Sequence, residues 1–413
     1  MTTEPNRGTR ALSLIALAVL AALLGGVLSV VVGKAAGWLA GSETIVIGEV
    51  PADGGDRPAA AEEAAAARPL AGNGFDPAAL YEARADGVVT IYATFDRGHP
   101  GPQSQGTGFV VSADGHILTN SHVITTAGEG DVGAAARAAR EVVVEFSDND
   151  RIAAEIVGWD AFSDVGVLRV DPDAHRLDPV PLGDSTAVTV GEPVAAIGSP
   201  FGQTGSLSIG VVAAVERSIP SLTSGYDLVD VIQTDTPINR GNSGGPLFDA
   251  GGRVIGINSQ IRSDSGVNEG VGFAVPINTA IRSMRQLIAD GRVRYAWVGL
   301  VTQTLTPAAA RRLGTGVQRG AAIQRVVNGS PAAKAGFKTG GGEVDVDGIP
   351  YARNGDVIVA IDDVAIDSSE AMIRVIAGRL RPGQTARFTV VRGTKKVVVP
   401  VKLGERPASP TVG

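Results

Sequence analysis

From Val88 onward the chain alternates short apolar runs with glycine or aspartate turns. VVTIYATF, GFVVS, HILTN, VVVEF, VGVLRV, PVAAIG, SIGVVAAV, VIGIN and GFAVPI are all rich in valine and isoleucine. Strand-length runs at that spacing predict an antiparallel sandwich or barrel rather than alternating strand and helix. Ala113-Asp114-Gly115, between GFVVS and HILTN, carries the residue types of a hairpin turn. Helical signals bracket the block. Asp76 followed by Pro77 supplies an N-cap and a first-turn proline for a short helix over AALYEARA. NTAIRSMRQLIADG, from Asn278, predicts a second helix that Gly291 ends, a natural domain boundary. More strands follow, with SSEAMIRVIAGR from Ser368 as the clearest helix among them.

The amino-terminal pattern is different. ALSLIALAVLAALLGGVLSVVVG, residues 11–33, holds no charge, and as a helix of about 34 Å it would cross a hydrocarbon core of about 30 Å. It is longer than the apolar region of a cleavable signal, so a retained transmembrane helix is expected. Arg7, Arg10 and the amino terminus outweigh Lys34, which puts residues 1–10 in the cytoplasm and the remainder outside. Residues 34–75 turn to alanine, glycine, proline and acid, a composition that cannot build a core and reads as a flexible stem.

Composition then narrows the chemistry. With 44% hydrophobic and 19% charged residues the 413-residue chain is an ordinary folded protein of two or three units. A net charge of -7 gives no electrostatic footprint for nucleic acid. The absence of cysteine excludes disulfides, thiolate metal sites and cysteine nucleophiles. The four histidines, His99, His116, His122 and His175, show no metal-ligand spacing, and no cofactor is expected.

The strongest local signal is GNSGGPLFD, from Gly241 to Asp249. A serine hydroxyl is a poor nucleophile unless a base takes its proton and nearby donors receive the charge developing on the attacked carbonyl oxygen. Glycine at 241 lets its N–H and that of Ser243 face one point, and Gly244 and Gly245 let backbone pass close behind. The base candidate is His122, in TNSHV just beyond the strand HILTN; His116 lies inside that strand and reads as structural, while His99 and His175 sit among turn residues. For the carboxylate that orients the base, Asp164 begins the apolar run VGVLRV, with Asp160, Asp171 and Asp173 as competitors. His122, Asp164 and Ser243 fall in the chain order of a chymotrypsin-type triad.

On GTGFVVSADGHILTNSHV, the Asp164 strand, AIGSPFG, SLSIGVV, VIQTDTPINRGNSGGPLFD, VIGINSQI and GVGFAVPIN, the chain resembles the HtrA/Deg family of trypsin-like serine proteases over roughly residues 78–290. The resemblance implies a mainly β fold of two packed six-stranded antiparallel barrels at residues 76–291, with the triad in the cleft between them. It also implies Ser243 as nucleophile, His122 as base and then acid, Asp164 as the holder of His122, and the N–H groups of Gly241 and Ser243 as the oxyanion site. The first substrate pocket is expected at Pro237, Ile238 and Asn258; no carboxylate lies at its floor unless Asp235 turns inward, so small or medium aliphatic side chains are the expected choice.

YAWVGL, GSPAAKAGF, NGDVIVAIDDVAI, the helix from Ser368, ARFTVVRG and KKVVVPVKL resemble a PDZ domain, here residues 294–405, followed by a tail at 406–413. Such a domain adds a peptide strand to its sheet and holds the terminal carboxylate on backbone N–H groups, a loop matched here by Val298-Gly299-Leu300. Two stretches depart from the family: TTAGEGDVGAAARAAR after His122, readable as a helix beside the active site, and KTGGGEVDVDGIPYARN, readable as a hairpin turned at Asp347-Gly348. The implied protein is a membrane-anchored, trimeric serine endopeptidase acting on unfolded or misfolded extracytoplasmic proteins, with C-terminal peptides as PDZ ligands. The alternative is a chaperone or adaptor whose protease centre is latent.

Overall fold

A computed structural model describes residues 75–96, 104–127, 136–199, 205–261 and 270–408. Six strands, β1 (Val88–Thr94), β2 (Ser104–Val110), β3 (His116–Thr119), β4 (Glu141–Glu145), β5 (Arg151–Asp160) and β6 (Val165–Arg169), close into a barrel in the order β1-β2-β3-β6-β5-β4. β7 (Pro193–Gly198), β8 (Ser206–Pro220), β9 (Asp227–Thr234), β10 (Pro246–Phe248), β11 (Val254–Ile261) and β12 (Gly272–Pro276) close a second, in the order β10-β11-β12-β9-β8-β7. Closure leaves neither sheet with an open edge. Ile91, Ile117, Val144 and Leu168 fill the first barrel, and Val194, Val212, Leu247 and Ile255 the second. Phe109, Leu118 and Val165 of the first barrel join Ile197, Phe248 and Ile257 of the second in one apolar cluster, so the cleft between barrels rests on a dry floor.

Three strands left no clear apolar signal. β5 mixes charged, small and large apolar residues and is exposed or half-exposed over most of its length, β9 carries polar residues inside its apolar run, and β10 is only three residues long. The helices follow the capping signals: α1 (Pro77–Arg84) has the Asp76 carboxylate accepting from the N–H groups of Ala78 and Ala79, both at 3.1 Å. α2 (Ser121–Ile124) is one turn directly after β3, and α3 (Ile277–Asp290) ends at Gly291, whose φ of 68° and N–H bond to Leu287 O make a left-handed stop. Within the stretch after His122, residues 128–135 lie outside the described ones; its described flanks are joined by a bridge between Thr125 and Ala138 and hold no helix. The expected transmembrane helix and stem also lie outside the described residues, among which no helix is long and apolar enough to cross a membrane.

The second domain is built from β13 (Ala296–Trp297), β14 (Leu300–Leu305), β15 (Gly320–Val326), β16 (Glu343–Val346), β17 (Ile349–Ala352), β18 (Val357–Ile361), β19 (Val364–Ala365), β20 (Thr385–Arg392), β21 (Lys395–Lys402) and β22 (Gly404–Glu405). Its helices are α4 (Pro307–Leu313), α5 (Pro331–Ala335) and α6 (Ser369–Arg379). Its main sheet runs β14-β15-β18-β20-β21, which makes β14 an edge, and β16 with β17 is the extra hairpin, turned through Asp347 and Gly348 at φ 57° and 81°.

Asp356 is fully buried and is held by the Arg392 guanidinium at 2.8 and 2.7 Å and by the Lys338 N–H at 2.9 Å. Removing the cation leaves a buried carboxylate with one donor. Arg392→Met is therefore expected to destabilise this domain by about 2 kcal/mol, below the usual cost of breaking a buried pair because Arg392 is itself partly exposed. Urea unfolding checks this; an unmoved midpoint would contradict it.

Candidate active site

α2 and the β5–β6 turn deliver two of the expected residues to one place. Asn120, at the N-cap of α2, donates its side-chain amide to the Asp164 carbonyl at 2.8 Å, fastening the helix start to that turn. Asp164 ends the turn with φ 55°, a left-handed conformation that aspartate tolerates better than most residues. Its buried carboxylate lies 2.9 and 3.1 Å from His122 Nδ1 and accepts from the His122 N–H at 3.1 Å, the Ser121 hydroxyl at 2.9 Å and the Ser259 hydroxyl at 2.7 Å. Burial alone would push the Asp164 carboxyl up; the facing imidazole and these hydrogen bonds more than reverse it, holding Asp164 below the ordinary carboxylate range. Burial likewise pulls His122 down, and the Asp164 charge and hydrogen bond outweigh it, leaving the imidazole above its ordinary value. One fifth of the His122 side chain stays exposed, enough for its far face to meet a substrate.

Ser243 sits on a tight turn closed by the Asn242 N–H bonding Asn239 O at 3.0 Å. Gly244, at φ 87°, presses this turn against the first barrel: a Cβ there would lie 2.1 Å from Thr107 O and 2.3 Å from Thr119 Oγ1. Only glycine permits the approach that brings Ser243 beside the start of α2. The Thr107 N–H donates to Ser243 O at 2.8 Å, and the Thr107 hydroxyl donates to Gly241 O at 2.5 Å. Gly241 has φ 101°. Among the described residues the N–H groups of Gly241 and Ser243 have no hydrogen-bond partner, whereas that of Asn242 between them does. The Ser243 hydroxyl donates to Ser259 O at 2.9 Å, with no hydrogen bond to His122 among the described residues.

Ser259 therefore touches both Ser243, through its carbonyl, and Asp164, through its hydroxyl. Neither it nor Ser121 stands out in the sequence. Ser121 has adjacency to His122 as its one signal, and Ser259 becomes visible only once β11 is laid against the β5–β6 turn.

The other expected residues are dispersed. Ile238 is buried in the core of the second barrel, Pro237 is exposed with its carbonyl accepting from Asn242 Nδ2 at 3.3 Å, and Asn258 is buried with its amide donating to Pro246 O at 3.0 Å. Asp235 turns its carboxylate to the Val211 N–H, at 2.7 Å, within the sheet. Asp160 is engaged by hydroxyl donors away from the imidazole, and His116 pairs with the Ser112 hydroxyl at 3.1 Å. His175 stacks on Phe146 with centroids 4.0 Å apart and faces Asp148, while His99 lies outside the described residues. In the second domain Val298 and Gly299 direct their carbonyls to the N–H groups of Ala332 and Val327, both at 2.9 Å, and Gly299 has φ 82°. Leu300 opens the edge strand β14 beside α6, where Thr304 Oγ1 donates to Glu370 at 2.7 Å. Among the described residues no cluster of three or more histidines, aspartates or glutamates could hold a metal ion.

Comparison with known proteins adds independent findings. Residues 106–257 match the model of a trypsin-like peptidase domain and residues 299–403 that of a PDZ domain. A probable periplasmic serine endoprotease, DegP-like, of Hahella chejuensis is 40% identical over 312 residues, 76% of this chain and 59% of that protein. One of Halomonas elongata is 40% identical over 307 residues, 74% of this chain and 58% of that protein. The chain thus spans about three fifths of the length of these curated relatives. A solved structure of the HtrA-type protease AlgW with a tripeptide superposes with a TM-score of 0.66 at 33% identity, covering 80% of this chain and 98% of that one.

Proposed function

Since the chain belongs to the HtrA-type proteases, with a trypsin-like peptidase domain followed by a PDZ domain, we propose that it is a serine endopeptidase of unfolded or misfolded extracytoplasmic proteins. The observation that carries this reading is the His122–Asp164 pair, a partly exposed imidazole gripped by a buried carboxylate, with Ser259 joining that carboxylate to the Ser243 hydroxyl.

In the proposed reaction the Ser243 side chain turns from Ser259 O to His122 Nε2 as substrate enters. Ser243 Oγ attacks the peptide carbonyl while His122 takes its proton, and Asp164 stabilises the imidazolium without itself becoming protonated. The N–H groups of Gly241 and Ser243, without a partner among the described residues, are available to the oxyanion, with the Thr107 hydroxyl fixing the Gly241 carbonyl on the other side. His122 then returns the proton to the leaving amine, and water activated by the same imidazole hydrolyses the acyl-enzyme. Pro237, Ile238 and Asn258 remain the proposed pocket; because Ile238 and Asn258 are buried, they would shape its wall from behind.

C-terminal peptides are the proposed PDZ ligands, added as a strand to the open edge of β14 with the carboxylate at Val298-Gly299-Leu300. The charge-free run at residues 11–33 supports a single membrane anchor, and the two DegP-like relatives named above are described as probable periplasmic endoproteases, which supports an extracytoplasmic protease. Assembly as a homotrimer belongs to the same reading. The Ser243 hydroxyl resting on Ser259 also favours a second reading, a chaperone or adaptor whose centre is latent until a ligand is captured.

The test is the pH dependence of casein cleavage by the full chain. The base must be neutral to accept the proton, so activity falls as pH drops through the His122 pKa, and because Asp164 raises that pKa the acid limb is expected above pH 6.5. Cleavage whose rate does not fall with acid between about pH 8 and 5 would contradict the assignment of the base.

A further inference from the structure

The turn that presents Asp164 is held from outside its own barrel. Asp160, at its start, is buried and accepts from the Phe162 N–H at 3.0 Å, the Ser283 hydroxyl of α3 at 2.7 Å and the Tyr295 hydroxyl at 2.6 Å, with Ser163 as a further hydroxyl donor. Thr223, in the β8–β9 connection, donates to the Ala161 carbonyl at 2.6 Å. Over this assembly lies Arg406, the residue after β22. Its guanidinium stands 5.3 Å from the Phe162 ring centroid and 5.0 Å from those of Tyr226 and Tyr295. Phe162 meets both tyrosines edge-on, at 5.5 and 5.3 Å. The backbone is tied down as well: the Arg406 N–H donates to Tyr295 O at 2.9 Å, and the Tyr226 hydroxyl to Pro407 O at 3.2 Å.

A cation enclosed by three aromatic faces is attracted to each of them, and a planar guanidinium suits such a box better than an ammonium. Among the described residues Arg406 has no carboxylate within ion-pair distance. The rings are thus its main partners, with Asp160, Tyr226, Tyr295 and Arg282 as the titratable or charged groups around it.

We propose that Arg406 is a positioning residue for Asp164: by clamping Phe162 and Tyr295 it fixes the Asp160–Asp164 turn, so that the segment leaving the PDZ domain completes the protease site. This rests on Asp164 being the acid of the reading above. A second bridge between the domains, from Arg374 of α6 to Asp230 and Glu216, reaches β8 and β9 and, among the described residues, makes no ion pair or hydrogen bond to the Asp160–Asp164 turn, which supplies an internal control.

The experiment compares steady-state cleavage of a casein-derived peptide, as a function of pH, by the full chain and its Arg406→Ala, Arg406→Lys and Arg374→Ala variants. Small misplacements of a catalytic group are costly, so Arg406→Ala is expected to lower kcat about tenfold or more with little change in KM. Asp164 is the charged group that the imidazole faces, so loosening it also moves the acid limb to lower pH. Arg406→Lys recovers part of the rate, and Arg374→Ala leaves the limb in place. A lower rate with an unmoved limb, shared by Arg406→Ala and Arg374→Ala, would mean simple loss of domain docking and would overturn the proposal; so would wild-type behaviour of Arg406→Ala. Should Arg406→Ala not fold, Phe162→Leu, which removes one wall of the box but keeps apolar bulk, must show the same shift of the limb, and its absence overturns the proposal too. No cleavage by the unaltered chain, or equal cleavage by Ser243→Ala, counts against the protease reading itself.

Discussion

Replacing Ser243 with alanine is expected to lower kcat for casein cleavage by about 10⁶-fold, some 8 kcal/mol of transition-state stabilisation. The size follows from chemistry. Without the hydroxyl there is no acyl-enzyme, and what survives is binding plus the Gly241 and Ser243 N–H groups acting on a water molecule. Folding should be unaffected, because among the described residues the hydroxyl makes a single hydrogen bond, to Ser259 O, and alanine fits the same turn. The measurement is kcat by single-turnover kinetics, with the thermal midpoint recorded alongside. A loss below about a hundredfold would mean that another group carries the attack.

Asp164→Asn should cost about 10⁴-fold in kcat. The asparagine is nearly isosteric, yet it presents an amide where His122 Nδ1 now meets a carboxylate at 2.9 Å. The imidazole is then driven toward the wrong tautomer, with its proton on the nitrogen that must act as base. The substitution also removes the charge that holds His122 up, and the burial that remains pulls the pKa down. Residual activity should accordingly show an acid limb at lower pH than the unaltered chain. Retention of both rate and limb would assign the orienting role elsewhere.

Much of the architecture can be read along the chain because strands of these barrels are buried along most of their length and so appear as short, nearly unbroken apolar runs, as β1, β6 and β12 do. β5, with its exposed charged residues, and the three-residue β10 are too weak to signal themselves; ladder pairing on both sides, with β4 and β6 for β5 and with β7 and β11 for β10, makes them strands. His122 and Asp164 could be named because each stands at the end of an apolar run, where side chains reach a cleft. Ser259 and Ser121 could not, since a serine in a strand or beside a histidine is an ordinary residue until the fold brings it to a carboxylate. The same applies to Asp160, which the sequence offers only as a competitor for the orienting role and which proves to be a buried cap for the turn that presents Asp164. Arg406 reads as the start of a tail, and only its return onto Phe162 and Tyr295 gives it a place in the site.

The most direct measurement is covalent labelling of the full chain with a fluorophosphonate, located by peptide mass spectrometry in a preparation that cleaves casein. A hydroxyl activated by His122 and Asp164 displaces fluoride and keeps the phosphonyl group, so one adduct is expected, on the peptide containing Ser243, and it should vanish in His122→Ala. An adduct on a different residue, or none while casein is still being cut, would contradict the account.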